Sequence, residues 1–449
     1  MATSVAGESR AQFSSKIGFI LAAAGSAVGL GNIWGFPTQA ASNGGGAFLL
    51  IYLFMVFLLG YPLLVAELAI GRYSQANPIK SSGAIMPKGL AGSGRALAVV
   101  GLITASCILS FYAILAGWLL GFFISPLLEI VGFTEAATWL ETFSTGRNLL
   151  LMGLFMAATI YIVKSGVAEG IERWSTRLMP VLVVLFLVLI AYIMTQSGAM
   201  AGLKMFLVPD FSQVDSGMIH SAMGQAFFSL SLGACTMMVY GSYLRKDADL
   251  PKTAGQVALI DTGIAFIAGL LIMPAMFVAQ NNGVKIFDEA GNLESSGDLV
   301  FEVLPAMFET MGGAGLLVSI IFFALMVIAA LTSSISLLEV PVSTASEELN
   351  LPRSTSSWLI GGVISVLSVA IIFNFGWLFD AVIVASTEYA QPILGVVFAL
   401  LVGWVWKRDG LLSELRQGAP EMETSLFWKI WPWYVRVVCP AMLLFVFLS

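Results

Sequence analysis

Charge is scarce in this chain: of 449 residues only 11% are Asp, Glu, Lys or Arg, whereas 58% are hydrophobic. A water-exposed surface on a chain of this length needs far more charge, so a soluble globular protein is excluded. Histidine occurs once, at His220, and cysteine three times, at Cys107, Cys235 and Cys439, each inside an apolar run. That set suggests neither a disulfide framework nor a Cys/His metal cluster, and the cysteines read as small core residues. His220, at the outer start of an apolar run, reads as an interfacial residue rather than a proton relay. A cleavable signal is also lacking. The polar start MATSVAGESRAQFSSK has no charged leader before a small-residue cleavage site, so the N-terminus is expected to stay attached. The net charge of −6 says little about partners, and no nucleic-acid partner is expected.

What the chain has instead is apolar runs of membrane-crossing length. Eleven are read, near 17 to 41, 46 to 71, 95 to 125, 149 to 163, 178 to 196, 219 to 243, 254 to 280, 314 to 346, 356 to 374, 380 to 406 and 428 to 448. The fold class is therefore an all-α polytopic membrane protein. With the N-terminus in the cytoplasm, all but four of the 21 Lys and Arg fall on the inner side, leaving Arg147, Lys204, Lys285 and Arg436 toward the outside. Between spans seven and eight, acidic Asp288, Glu289, Glu294, Asp298 and Glu302 gather in a long loop whose apolar VFEVLPAMF predicts a short outer helix.

Two spans cannot be continuous helices. Ala22 to Pro37 reads AAAGSAVGLGNIWGFP, in which each of Gly25, Gly29, Gly31 and Gly35 weakens helix by roughly 1 kcal/mol relative to alanine. Span six reads AFFSLSLGACTMMVYGSY, with Ser229, Ser231 and Gly233 near its middle. Non-helical backbone at membrane depth is tolerated only against protein or a wet cavity, so each break predicts a ligand or ion site. The breaks lie five spans apart. That spacing predicts two inverted five-helix repeats, 17–196 and 219–406, after a cytoplasmic segment 1–16 and before an additional helix 428–448.

Charges inside the spans are nearly all carboxylates: Glu67, Asp261, Glu339, Asp380 and Glu388. With no Lys or Arg at this depth except Arg436 near the outer end of the last span, they suggest a cation pathway, for protons or Na⁺. The alternative for Glu67 and Glu388 is a hydrogen bond to an exposed helix end. Thr332, Ser333 and Ser334 place adjacent hydroxyls deep in span eight, and hydroxyls with freed carbonyls form a neutral site for a hard cation.

Five fragments in order, AGSAVGLGNIWGFP, NGGGAF, PLLVAELAIGRY, GQAFFSLSLG and ALTSSIS, together resemble the neurotransmitter:sodium symporter family. The resemblance implies the leucine-transporter fold, Na⁺-coupled uptake by alternating access, two Na⁺ sites and no covalent catalysis. Eleven spans resemble many bacterial members, which implies a bacterial inner membrane. Carried over residue by residue, the first sodium site would use Ala27, Asn32, Ser229 and Asp261, and the second Gly25, Val28, Ala329, Thr332 and Ser333. The substrate pocket would be lined by Ser26, Gly29, Leu30, Gly31, Ile108, Tyr112, Phe228, Ser231, Ala234, Ser333 and Leu337, with Phe228 over Tyr112 as a lid.

The family's monoamine carriers have an aspartate where this chain has Gly29, which favours an amino acid over an amine. Ala234 replaces the bulky aromatic of leucine-selective relatives, which implies room for neutral hydrophobic or aromatic side chains. At the cytoplasmic side the resemblance implies a gate of Arg10 and Glu347 with Phe13 and Tyr243. The outer arginine and aspartate do not transfer, since Gly35 and Ile383 stand in their places. Tyr52, Gln225 and Ser229 resemble the family's chloride pocket, but Ala265 replaces its serine. A permanent charge on Asp261, one turn away, implies chloride independence, and a proton taken up there after Na⁺ and substrate leave would make the return step an antiport. A proton-coupled amino-acid transporter and a membrane sensor that binds without transporting are the other readings. An amino acid and the lipid bilayer are the expected partners; the oligomeric state stays open.

Overall fold

In the absence of water, backbone N–H and C=O groups must be satisfied within the chain, and helix is the form that does so locally. The computed structural model describes residues 10–286 and 299–448, and the described residues are helical with no strand beyond a single bridge between Gly45 and Pro209. Continuous apolar helices occupy Gly46–Ser74, Ala91–Ile130, Thr145–Lys164, Val167–Ile193, Leu250–Asn281, Gly313–Glu348, Arg353–Phe373 and Phe375–Val405. They are spans two to five and seven to ten. Span one is the bent pair Lys16–Ala27 and Gly31–Ser42, span six is Ser216–Ser229 followed by Thr236–Ser242, and the last runs from Leu426 through 448. The short helix expected before span eight is present as Leu299–Val303 and Leu304–Thr310. Of the acidic loop residues Glu302 falls within it, and Asp288, Glu289, Glu294 and Asp298 lie outside the described residues.

Both breaks have local causes. The first helix ends at Val28, whose ψ of 104° is extended, and the chain resumes helix at Gly31 after a 56° bend. In span six Ser231, Gly233 and Cys235 take positive φ of 53°, 77° and 59°. Left-handed backbone is unfavourable for Ser and Cys and persists only where surroundings enforce it. At Gly233 the surroundings are backbone, because a Cβ there would lie 2.1 Å from the Gln391 carbonyl oxygen.

The N-terminal segment, the ends of spans two, six and eight, and the starts of spans seven and nine share one face, here the near face; the 299–310 helices lie on the far face. Toward the near face span two and the second half of span six touch backbone to backbone. A Cβ on Gly71 would lie 1.9 Å from Met238 O, and one on Gly241 would lie 2.5 Å from Leu68 O. Small residues at such crossings let membrane helices approach closely.

Several charged residues differ from the sequence reading. Arg436 is not at an outer end: its Cα would meet a Cβ on Gly403 at 2.6 Å, which puts it beside the near-face end of span ten. Nor do the carboxylates form one pathway. Glu339 is fully buried and paired with Arg353 at 2.5 Å, Asp380 and Glu388 are exposed, and Glu67 accepts a 2.8 Å hydrogen bond from the Gly233 amide, a freed group of the broken helix.

Replacing Gly71 or Gly241 by alanine is expected to lower the thermal stability of the detergent-solubilised protein, because overpacking against backbone costs about 1–3 kcal/mol. Gly153→Ala, where a Cβ meets nothing within 4 Å, is the control and should not lower it. Equal melting temperatures for all three variants would show that the close approach is dispensable.

Candidate functional site

The two breaks face each other across a cavity of about 30 Å³. Its wall contains Ser26, Gly29, Leu30 and Gly31 from span one, Ile108 and Tyr112 from span three, Phe228, Ser231 and Ala234 from span six, and Ser333 and Leu337 from span eight. All eleven residues assigned to the pocket by resemblance therefore meet in one place. Ala27 and Gln391 complete the lining. Gln391 escaped the sequence reading, although it is a polar side chain in the apolar run of span ten; it donates to Leu232 O at 3.0 Å and so holds the second break. Freed amides of the first break also have partners, since Gly29 N donates to Asn32 Oδ1 at 3.1 Å and Leu30 N to the Tyr112 hydroxyl at 3.3 Å. No side chain fits at Gly29, where a Cβ would lie 2.4 Å from Ser333 Oγ and 2.8 Å from the Tyr112 hydroxyl.

Oxygen atoms cluster beside this cavity in two groups. In the first, Asp261 from span seven is fully buried. Its Oδ1 accepts from Asn32 Nδ2 at 2.8 Å, and the Ser229 hydroxyl lies 2.9 and 2.8 Å from its two carboxylate oxygens. Tyr52 donates to Ser229 Oγ at 3.2 Å, and Ala265, also fully buried, lies one turn on from Asp261. Asp261 is thus held by donors from both broken spans, Asn32 of span one and Ser229 of span six. Ala27 lines the cavity next to this group.

The second group joins spans one and eight. Ser333 Oγ lies 3.1 Å from Val28 O and 3.4 Å from Gly25 O, while Thr332 Oγ1 lies 3.0 Å from Ala329 O. Gly25 packs against Thr332, where a Cβ would come within 3.3 Å of Thr332 Cβ. Three main-chain carbonyls and two hydroxyls thus converge without a formal charge.

Toward the far face the small cavity adjoins one of about 510 Å³, and Leu30, Gly31, Tyr112 and Phe228 line both. Gly35, Ile383, Glu388 and His220 lie on its wall. Gln225 fills the space beside Gly35, reaching 3.1 Å from a Cβ built there, and donates to Gly31 O at 2.6 Å. Above lies an aromatic cluster that was not read from the sequence: Phe301 of the short far-face helix packs on Trp34, Trp118 and Phe122 with centroids 6.0, 5.4 and 5.6 Å apart. Trp118 continues to Phe375, and Phe375 stacks on Phe379 of the cavity wall at 4.5 Å.

The near face is closed by two linked ion pairs. Arg10 pairs with Glu347, donates from Nε to Ser242 Oγ at 2.9 Å, and lies 4.6 Å over the Tyr243 ring. Phe13 sits edge-on to Phe19, Tyr240 and Tyr243. Behind them the Tyr243 hydroxyl donates to Glu339, which Arg353 holds from the other side. Arg353 and Asn77, whose side-chain amide donates to Glu347 at 3.0 Å, had no signal in a single sequence because both sit at helix boundaries.

Comparison with known proteins gives the family and the fold. The sequence profile of the Sodium:neurotransmitter symporter family matches residues 10–148 and 140–449. A Bacillus subtilis (strain 168) protein named as the uncharacterized sodium-dependent transporter YhdH is 34% identical over 98% of this chain and 97% of its own length. The sodium-dependent serotonin transporter of Drosophila melanogaster is 27% identical over all of this chain and 77% of its own. Among solved structures, MhsT in complex with L-phenylalanine superposes with a TM-score of 0.83 at 37% identity, covering 98% of this chain and 99% of that one. Such a fold, with paired broken helices around a midplane cavity, defines a secondary membrane transporter. The chain belongs to the sodium:neurotransmitter symporter family.

The near-face pairs differ in depth, and that difference is measurable. Arg353→Met strands Glu339, which is 0% exposed, and an uncompensated buried charge costs about 3–5 kcal/mol. Arg10→Met leaves Glu347 31% exposed and still bonded to Asn77, so a loss nearer 1 kcal/mol is expected. Thermal unfolding in detergent should rank Arg353→Met well below Arg10→Met, and the opposite order would refute the assignment of depth.

Proposed function

We propose that this protein is a Na⁺-coupled symporter that imports neutral hydrophobic or aromatic amino acids by alternating access, without covalent catalysis. The single observation that carries the reading is the placement of two oxygen clusters, around Asp261 and around Ser333, on either side of one cavity at the helix breaks. Hard cations take oxygen ligands, and a cation at Asp261 takes over the role that the Asn32 amide proton plays there. In this reading Ala27, Asn32, Ser229 and Asp261 hold one Na⁺, and Gly25, Val28, Ala329, Thr332 and Ser333 a second.

The substrate carboxylate is held by the Tyr112 hydroxyl and by the amides around Leu30 and Gly31, and it adds a ligand to the first Na⁺. Its side chain points to Ala234, Ile108 and Leu337, where the small Ala234 leaves space. The L-phenylalanine complex of the solved neighbour supports a substrate of that size. Phe228 and Tyr112 separate the pocket from the outer cavity. With Gly35 and Ile383 unable to pair, outer closure falls to Trp34 and the aromatic cluster around Phe301. The near face is cytoplasmic in a bacterial inner membrane, consistent with its excess of Lys and Arg. Residues 17–196 and 219–406 form the two inverted repeats, and 428–448 adds a further helix.

In proteoliposomes an inward Na⁺ gradient should drive leucine accumulation, with Phe, Tyr, Trp and Met competing better than Gly or Ala. Thr332→Ala and Ser333→Ala should raise the Na⁺ concentration needed, since each removes one of about five oxygen ligands. Binding without accumulation would favour a sensor, and accumulation driven by pH alone a proton-coupled carrier.

The fixed carboxylate at Asp261 stands in for a chloride ion. Exchanging chloride for gluconate should therefore leave wild-type uptake unchanged, and Asp261→Asn with Ala265→Ser should make uptake respond to chloride. Collapse of wild-type uptake in gluconate would overturn the fixed-charge account.

A further inference from the structure

Arginine inside a membrane helix is costly unless it is paired, and the other deep arginines of this protein are provided for. Arg72 is bonded to Glu414, Arg353 to Glu339, and Arg147 to Leu140 O and Asn148. Arg436 differs. Among the described residues neither Arg436 nor Arg408 forms an ion pair, and the buried Arg436 Nε has no hydrogen-bond partner. Both line a cavity of about 70 Å³ between the near-face ends of spans ten and eleven, floored by Gly403 and Trp406. Several water-sized groups fit in that volume, enough for the oxygens of a phosphate.

Trp404 and Trp433 lie 3.9 and 5.4 Å from the Arg436 guanidinium, and Trp404 Nε1 donates to Arg436 O at 2.8 Å. A guanidinium lying over a ring keeps its N–H groups on its edge, free for an anion. Trp404 and Trp433 are each 57% exposed, as are Ile430 and Val437 beside them at 53% and 51%, which marks a lipid-facing interfacial belt. Asp409, the neighbour of Arg408, is not part of the cavity wall. A basic pocket opening between helices at that level fits an anionic head group. We propose that Arg408 and Arg436 bind the phosphate of an anionic phospholipid, with Ile430 and Trp433 at head-group level and the acyl chains running past Val437 toward the bilayer centre.

The test uses the full chain in nanodiscs of phosphatidylcholine with and without phosphatidylglycerol, read by native mass spectrometry of retained lipid. Wild type should retain phosphatidylglycerol preferentially. Arg408→Gln and Arg436→Gln should each cut that preference about fivefold, since a basic side chain at an anionic membrane surface contributes about 1 kcal/mol. Lys407→Gln and Arg416→Gln, outside the cavity, should not. Arg408 is exposed on the short helix Arg408–Arg416, so its variant reports even where Arg436→Gln disturbs folding. Wild type without a preference, equal preference in the Arg408 variant, or displacement of the lipid by inorganic phosphate alone would each overturn the proposal, the last by revealing a free-anion site.

Discussion

Backbone broken at membrane depth must find partners that are not its own helix, and this requirement organises the centre of the molecule. Tyr112 and Asn32 take up amides of the first break, Glu67 takes the Gly233 amide, and Gln391 and Gln225 give hydrogen bonds to carbonyls of Leu232 and Gly31. Each of these side chains comes from a different part of the chain or reaches across a break. Removing one therefore frees a backbone group in a place where water is scarce, at a cost of about 1–3 kcal/mol. The polar residues of the spans are there first because the breaks need them.

Ion and substrate chemistry is built from what that arrangement leaves over. The Ser333 hydroxyl meets the Val28 and Gly25 carbonyls because span one has stopped being a helix at Val28. Asp261 meets Ser229 and Asn32 because the two breaks lie level with each other. A continuous helix would bury all these carbonyls in its own ladder and offer none to a cation.

How much of this could be read from residues alone depends on how local its cause is. The breaks were legible, since glycine spacing and hydroxyls inside apolar runs act within a few residues. The eleven spans were legible from hydropathy, and the family from five ordered fragments. Partners that meet only in three dimensions were not: Asn77 with Glu347 and Arg72 with Glu414 join segments far apart in sequence, and Arg353 meets Glu339 across the turn between spans eight and nine. Arg436 was also misplaced, and its neighbour Gly403 near the end of span ten corrects it. Of the carboxylates read as a cation pathway, Glu67 and Glu339 have partners inside the protein and Asp380 and Glu388 are exposed, which leaves Asp261 beside the cavity.

The backbone contact between Gly71 and Met238, and between Gly241 and Leu68, has a mechanical consequence. Side chains between two helices act as bearings that permit sliding by rotamer change, and at these two glycines none intervenes. Span two and the second half of span six are welded. A movement that opened the near face would have to carry both together, and what joins them to the first half of span six is the unwound turn from Leu230 to Cys235, where Ser231 and Cys235 already hold left-handed backbone.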